Sequence, residues 1–154
     1  MRDWRTRAAT GRDMNDILSL LTQSRLPTDD IEPTRPCFVV AIEESTIVGV
    51  GGFERFGETG LLRSIAVRAN HRRAGLGRAI VQELEQGARK IRVNEFVLLT
   101  ETSREFFQSL GYRVIERQAA PLPVQASAQF RSLCPQSACC MSKRLDRLSE
   151  TDRV

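Results

Sequence analysis

The sequence predicts an α/β fold built on a mixed β-sheet. Two observations lead there. Short apolar, strand-like runs are interleaved with stretches of helical period along the whole chain. One of those runs, Leu61 to Val67, also leads through a glycine-bearing segment, His71 to Arg78, straight into a helical run that a further strand follows. A strand–helix–strand unit of this kind requires at least one parallel strand pair. With 154 residues, one domain spanning 1–154 is expected, with its core at about 5–146 and a polar tail at 147–154.

The elements follow in order. Thr6 to Thr10 reads as a short edge strand. Thr10-x-x-Asp13 has the spacing of a capping box. It opens a helix whose Met14, Ile17, Leu18 and Leu21 share one face. Pro27 ends that helix, and Thr28 to Ile31 suggests one further turn. Cys37 to Ile42 and Thr46 to Phe53 form a hairpin. Gly57 and Gly60 bound the next turn, before the strand Leu61 to Val67. A helix from about Gly75 to Arg89 places Leu76, Ile80, Leu84 and Ala88 on one side. Glu95 to Thr100 is a compact buried strand. Ser103 to Leu110 is a helix stopped by Gly111. Tyr112 to Arg117 is a strand, Pro121 and Pro123 mark a loop, and Ala138 to Lys143 is the last strand.

Composition narrows the function. Net charge is +4, with a pI near 9.2. Nearly all the basic residues are arginine, which suits phosphate recognition through its planar fork. They are scattered, without the dense basic stripe and interleaved aromatics of a nucleic-acid binder. No apolar run approaches 18 residues, which argues against a membrane partner. The N-terminal residues lack the apolar region of a signal peptide, so a cytoplasmic location is expected. Cys37, Cys134, Cys139 and Cys140 are then expected as thiols. Their spacing, with a single histidine in the chain, is no zinc pattern, so no metal site is expected.

The segment Arg72-Arg73-Ala74-Gly75-Leu76-Gly77-Arg78 points to a phosphate-bearing ligand. Glycine lets the backbone approach closely. The first N–H groups of a helix have no partner within it, and the helix dipole adds positive charge there. A dinucleotide fingerprint would need a small residue at Ile80, and a P-loop would need Gly-Lys-Ser/Thr; neither is present.

Arg72-x-x-Gly75-x-Gly77 resembles the coenzyme-A signature of the GCN5-related N-acetyltransferase (GNAT) superfamily. Phe106-Phe107-Gln108-Ser109-Leu110-Gly111-Tyr112 is similar to a second landmark of that superfamily, at the matching place. A closer resemblance covers about residues 5 to 146. Leu26 to Asp30, Gly51 to Glu54, Leu61 to Ser64 and Phe130 to Pro135 look like the N-acetyltransferases of bacterial arsenic-resistance operons. Leu98-Leu99-Thr100 is similar to the acetyltransferase domain of N-acetylglutamate synthases.

The resemblance implies a mostly antiparallel sheet with one splayed parallel pair, flanked by helices. It implies acetyl transfer from acetyl-CoA to the primary amine of a small, amino-acid-like acceptor, including glutamate analogues that carry arsenic or phosphorus. It places the pantetheine arm against the backbone of Ile65, Ala66 and Val67. The Val67 N–H then polarises the thioester carbonyl, where a single donor is worth about 3–4 kcal/mol. It places the diphosphate on Arg72, Arg73, Ala74, Gly75, Leu76, Gly77 and Arg78. Thr100 stands where relatives often have an asparagine that bonds pantetheine, and Phe107 packs against the thioester.

The acceptor amine must lose a proton, which for a pKa near 10 costs about 4 kcal/mol at pH 7. Glu54 is the candidate base, through a water; a surface turn carboxylate is the alternative. His71, before the glycine segment, is expected to face solvent or cofactor. Many relatives have a proton-donating tyrosine where this chain has Phe107, so no general acid is assigned; water, Tyr112 or Ser103 remain open. Arg63 and Arg131 are candidates for the acceptor's carboxylate, with a surface or structural role as the alternative for each. Members of the superfamily are often dimers, which suggests a homodimer. The other readings are a non-catalytic CoA-binding or ligand-sensing module, an N-acetylglutamate-synthase-like enzyme and, on charge alone, a nucleic-acid binder.

Overall fold

A computed structural model describes residues 3–31, 36–72 and 75–145. Its strands are β1 Trp4–Ala8, β2 Cys37–Glu43, β3 Thr46–Phe56, β4 Thr59–Val67, β5 Glu95–Thr100, β6 Arg113–Val114 and β7 Cys139–Arg144. Its helices are α1 Met14–Gln23, α2 Leu76–Lys90, α3 Arg104–Ser109 and α4 Leu122–Gln125. The strands form one sheet in the order β1-β2-β3-β4-β5-β7-β6. The β4–β5 pair is parallel, matching Thr59, Gly60 and Leu61 with Glu95, Phe96 and Val97. This is the predicted α/β class with a mixed, mostly antiparallel sheet. The tail expected at 147–154 lies outside the described residues.

Two compact units share the long strands β3 and β4. One comprises Met1–Glu54 and Leu62–Gln86, the other Arg55–Leu61 and Gly87–Val154. In the first, Ile17, Leu20 and Leu21 of α1 are buried with Ile31, Phe38, Val40, Val50 and Ala66. Of the face read from the sequence, Ile17 and Leu21 are buried and Met14 and Leu18 partly so, while Leu20, outside that reading, is buried as well. A Cβ on Gly51 would lie 2.6 Å from both Ile65 Cδ1 and Ile80 Cγ2, and one on Gly49 would lie 2.9 Å from Ile80 Cδ1. The missing side chains are what let α2 lie this close to β3. In the second unit, Leu61, Val97, Ala120, Val124, Phe130 and Cys140 form a separate core.

Several boundaries differ from expectation for identifiable reasons. β1 begins at Trp4 and ends at Ala8, because Thr10 belongs to the cap of the next element. Asp13 accepts the Thr10 N–H at 2.7 Å and the Thr10 hydroxyl at 3.2 Å. The Arg7 guanidinium grips the same carboxylate at 2.7 and 3.0 Å. These bonds, the arginine's first, hold the Asp13 carboxyl well below the usual carboxylate range.

The stop of α1 is not Pro27 but a Schellman motif. Arg25 takes φ +59°, and the N–H of Leu26 bonds back to the Leu21 carbonyl at 3.0 Å. Gly57, at φ +66°, turns β3 into β4, whereas Gly60 lies inside β4. The strand expected over Tyr112 to Arg117 shrinks to two residues. Arg117 instead opens a 3₁₀ turn and donates to the carbonyls of Phe130, Pro135 and Ala138. The loop expected around Pro121 and Pro123 contains α4; proline fits a first helical turn, where its missing N–H would have no partner anyway.

Gly51→Ala is expected to lower stability by about 1–3 kcal/mol, because the added methyl must displace Ile65 or Ile80; an unchanged melting temperature would contradict the packing described. Asp13→Asn is expected to destabilise at pH 7. A carboxyl held low in the fold stabilises it above the unfolded value of about 4, and this is lost as pH falls. Denaturant titrations should therefore show a gap between Asp13→Asn and the natural chain at pH 7 that narrows at pH 3.

Candidate active site

The charged centre of the first unit assembles from three segments. The first is the turn after α1, closed by the Ile31 N–H on the Thr28 carbonyl at 3.2 Å. Ile31 is buried in the α1 core, which fixes Asp30 beside it. β3 supplies Glu54, and β4 supplies Arg63 and Ser64. All four are buried. Arg63 donates through Nη1 to Asp30 Oδ2 at 2.5 Å and to Glu54 Oε1 at 2.6 Å, and through Nη2 to Asp30 Oδ1 at 2.6 Å. Its Nε donates to Ser64 Oγ at 3.1 Å. In a regular strand, neighbouring side chains point to opposite faces. Ser64 takes φ +58°, a region sparsely populated by non-glycine residues, and this break brings its hydroxyl to its neighbour's guanidinium. Burial pulls the Arg63 pKa down, and the bonds to Asp30 and Glu54 more than offset it, so the group stays charged.

This placement bears on two expectations. Glu54 is no surface turn carboxylate: it is buried inside β3, which runs on to Phe56. Among the described residues its second oxygen, Oε2, accepts no hydrogen bond. Arg63, a candidate for the acceptor's carboxylate with a structural role as the alternative, is engaged by two carboxylates of the chain itself. Asp30 and the conformation of Ser64 were not read from the sequence. An arginine inside the apolar run Leu61 to Val67 was the available signal, since a buried charge demands a partner.

The glycine segment also lies in the first unit. Gly75 takes φ +82°, and among the described residues beyond its chain neighbours no atom lies within 4 Å of where a side chain would begin. α2 starts at Leu76, and its first turn carries no acidic side chain to occupy the free amides. Gly77 is half-buried, and Arg72 and Arg78 are exposed, while Arg73 and Ala74 lie outside the described residues. Arg72 Nε donates to the carbonyl of Val67 at 3.3 Å, tying the segment to the end of β4. Ala66 is buried, and Ile65 and Val67 are half-buried. His71, before the segment, sits 3.0 Å from Glu43 Oε1 and 2.7 Å from Asn70 Oδ1.

The remaining candidates belong to the second unit. Thr100 Oγ1 accepts the Ser103 N–H at 3.0 Å, capping the approach to α3. Phe107 is buried, edge-on to Phe106 and Tyr112 with ring centres at 5.0 and 5.6 Å. Arg131 is exposed on a π-helical turn, Gln129–Leu133. All four cysteines are free thiols, and burial pushes that of Cys140 up to about 11. Among the described residues no cluster of three or more His, Cys, Asp or Glu is placed to hold a metal, and no helix is long and apolar enough to cross a membrane.

Comparison with known proteins adds three relatives and a family. The family model of the acetyltransferase (GNAT) domain matches residues 34–114. A candidate acetyltransferase of Bacillus subtilis (strain 168) is 30% identical over 81 residues, 52% of this chain and 55% of that protein. Among solved structures, N-acetylglutamate synthase from Neisseria gonorrhoeae, complexed with coenzyme A and N-acetyl-glutamate, superposes with a TM-score of 0.80 at 17% identity. The match covers 96% of this chain and 36% of the synthase. A Mycobacterium tuberculosis protein solved with CoA gives a TM-score of 0.78 at 23% identity, covering 91% and 98%. The chain thus spans about half of its curated relative and about a third of the synthase, and the structural likenesses describe the fold.

Removing the Arg63 charge should unfold the centre rather than tune one substrate. Arg63→Ala leaves the buried Glu54 carboxylate without its arginine and takes two bonds from Asp30, at a cost of about 3–5 kcal/mol. Thermal unfolding should show that loss; a selective rise in the KM of an acceptor at unchanged stability would contradict the assignment.

Proposed function

Because the chain belongs to the acetyltransferase (GNAT) domain family, we propose that it moves the acetyl group of acetyl-CoA to the primary amine of a small, amino-acid-like acceptor. The observation that carries this reading is the start of α2. There an open glycine at φ +82° precedes a helix with no acid in its first turn. Such a start binds a diphosphate through backbone N–H groups, and Arg72 and Arg78 are exposed beside it to add charge. The backbone of Ile65 to Val67 pairs with the pantetheine arm, and the Val67 N–H stabilises the oxyanion as the amine attacks the thioester carbon. The amine's proton passes to Glu54 through a water. The C–S bond breaks, and the thiolate takes its proton from solvent, since Phe107 has none to give. Thr100 keeps a hydroxyl proton with which to bond the arm.

Arg131, exposed and cationic, is the remaining candidate for an acceptor carboxylate. Glutamate and its arsenic- and phosphorus-bearing analogues are the acceptors the sequence resemblances favour. The phenylalanine at position 107 supports one other reading, a CoA-binding sensor without turnover.

Two measurements test the proposal. Release of CoA thiol should rise on adding one of a panel of amino acids, including glutamate and those analogues, to protein and acetyl-CoA. Acetyl-CoA binding without turnover on any acceptor would favour the sensor, and no binding at all would overturn the reading. Gly75→Val should weaken acetyl-CoA binding about tenfold, because a side chain at this φ strains the segment by about 1–3 kcal/mol; an unchanged affinity would remove the segment from the site.

A further inference from the structure

We propose that Asp30 is a positioning residue for Glu54: by holding one side of the Arg63 guanidinium, it keeps that charge from pairing with Glu54 alone and so keeps Glu54 basic enough to take a proton. The inference rests on the reading of Glu54 as the base. Its ground is the way one nitrogen is divided. Arg63 Nη1 lies 2.5 Å from Asp30 Oδ2 and 2.6 Å from Glu54 Oε1. Asp30 takes Nη2 as well, at 2.6 Å, so it has the two-pronged grip and Glu54 the single contact. All three side chains are buried, where charges act strongly on one another.

A carboxylate with sole claim on a buried arginine is a weak base, whereas a second carboxylate nearby opposes that effect and raises proton affinity. Arg63, on β4, bonds Glu54, and Asp30, brought by the turn after α1, bonds the same nitrogen of that guanidinium. The Ser64 hydroxyl is the polar neighbour of the arginine. Asp30 cannot simply follow Glu54 as the acceptor enters, because its turn is closed by the bond between Ile31 and Thr28 and anchored by buried Ile31.

The test is the pH dependence of kcat/KM for the acceptor at saturating acetyl-CoA. It is measured for the natural chain and for Asp30→Asn, Asp30→Ser, Asp30→Glu and Glu54→Gln. In Asp30→Asn and Asp30→Ser the acid limb should move to lower pH by about one unit. The plateau should fall about threefold as the base weakens, with the KM for acetyl-CoA unchanged. Asp30→Glu should restore the limb. A folded Asn or Ser variant with the natural limb and plateau overturns the proposal. So does failure of both to fold, which would make Asp30 a purely structural residue. Full activity in Glu54→Gln would instead remove the base itself. Loss of activity there, with a natural profile in the Asp30 variants, would remove only the role given to Asp30.

Discussion

A single buried guanidinium holds together parts of the chain that are remote in sequence. Arg63 is 33 residues from Asp30 and nine from Glu54, yet bonds both at 2.6 Å or less. A charge this deep is tolerated only when fully partnered. The turn after α1, the end of β3 and the middle of β4 are therefore constrained together: none can shift without breaking a bond of this buried guanidinium. The same constraint gives the site its chemistry. Glu54 and Asp30 share one nitrogen of Arg63, and Asp30 holds the other as well.

The backbone around this centre is shaped to fit it. Ser64 adopts a left-handed conformation, costing on the order of 1–3 kcal/mol, where a regular strand would turn its hydroxyl away from Arg63. On β3, Gly49 and Gly51 remove the side chains that would hold α2 at a distance. The close seating of α2 in turn fixes where its first amides, and Gly75 before them, stand in relation to β4. Packing without side chains and strain at one serine thus act on two halves of the proposed reaction: diphosphate capture at the helix start and proton removal at Glu54.

What could be read from the chain in advance followed physical locality. β5 was legible to the residue, because Phe96 to Leu99 is a continuous apolar run with polar Glu95 and Thr100 at its ends. Ile17 and Leu21 on the buried face of α1 followed from its helical period, and the stop at Gly111 from the residue type. Contacts between distant residues left little trace. Asp30 looked like part of a polar turn, and Arg63 was open between an acceptor ligand and a surface or structural residue, because a sequence does not state that the two meet. The Schellman stop of α1 was hidden because Arg25, not glycine, takes the left-handed position. α4 was hidden because its prolines signal a loop as readily as a first helical turn.

Nitrogen-resolved NMR of the arginine side chains tests the central claim most directly. A guanidinium gripped by two buried carboxylates rotates slowly and exchanges its protons slowly. The account predicts one such set of resolved, long-lived Nη protons that disappears in Arg63→Lys. Spectra in which every arginine in the chain shows rapidly averaged, rapidly exchanging Nη protons would contradict it.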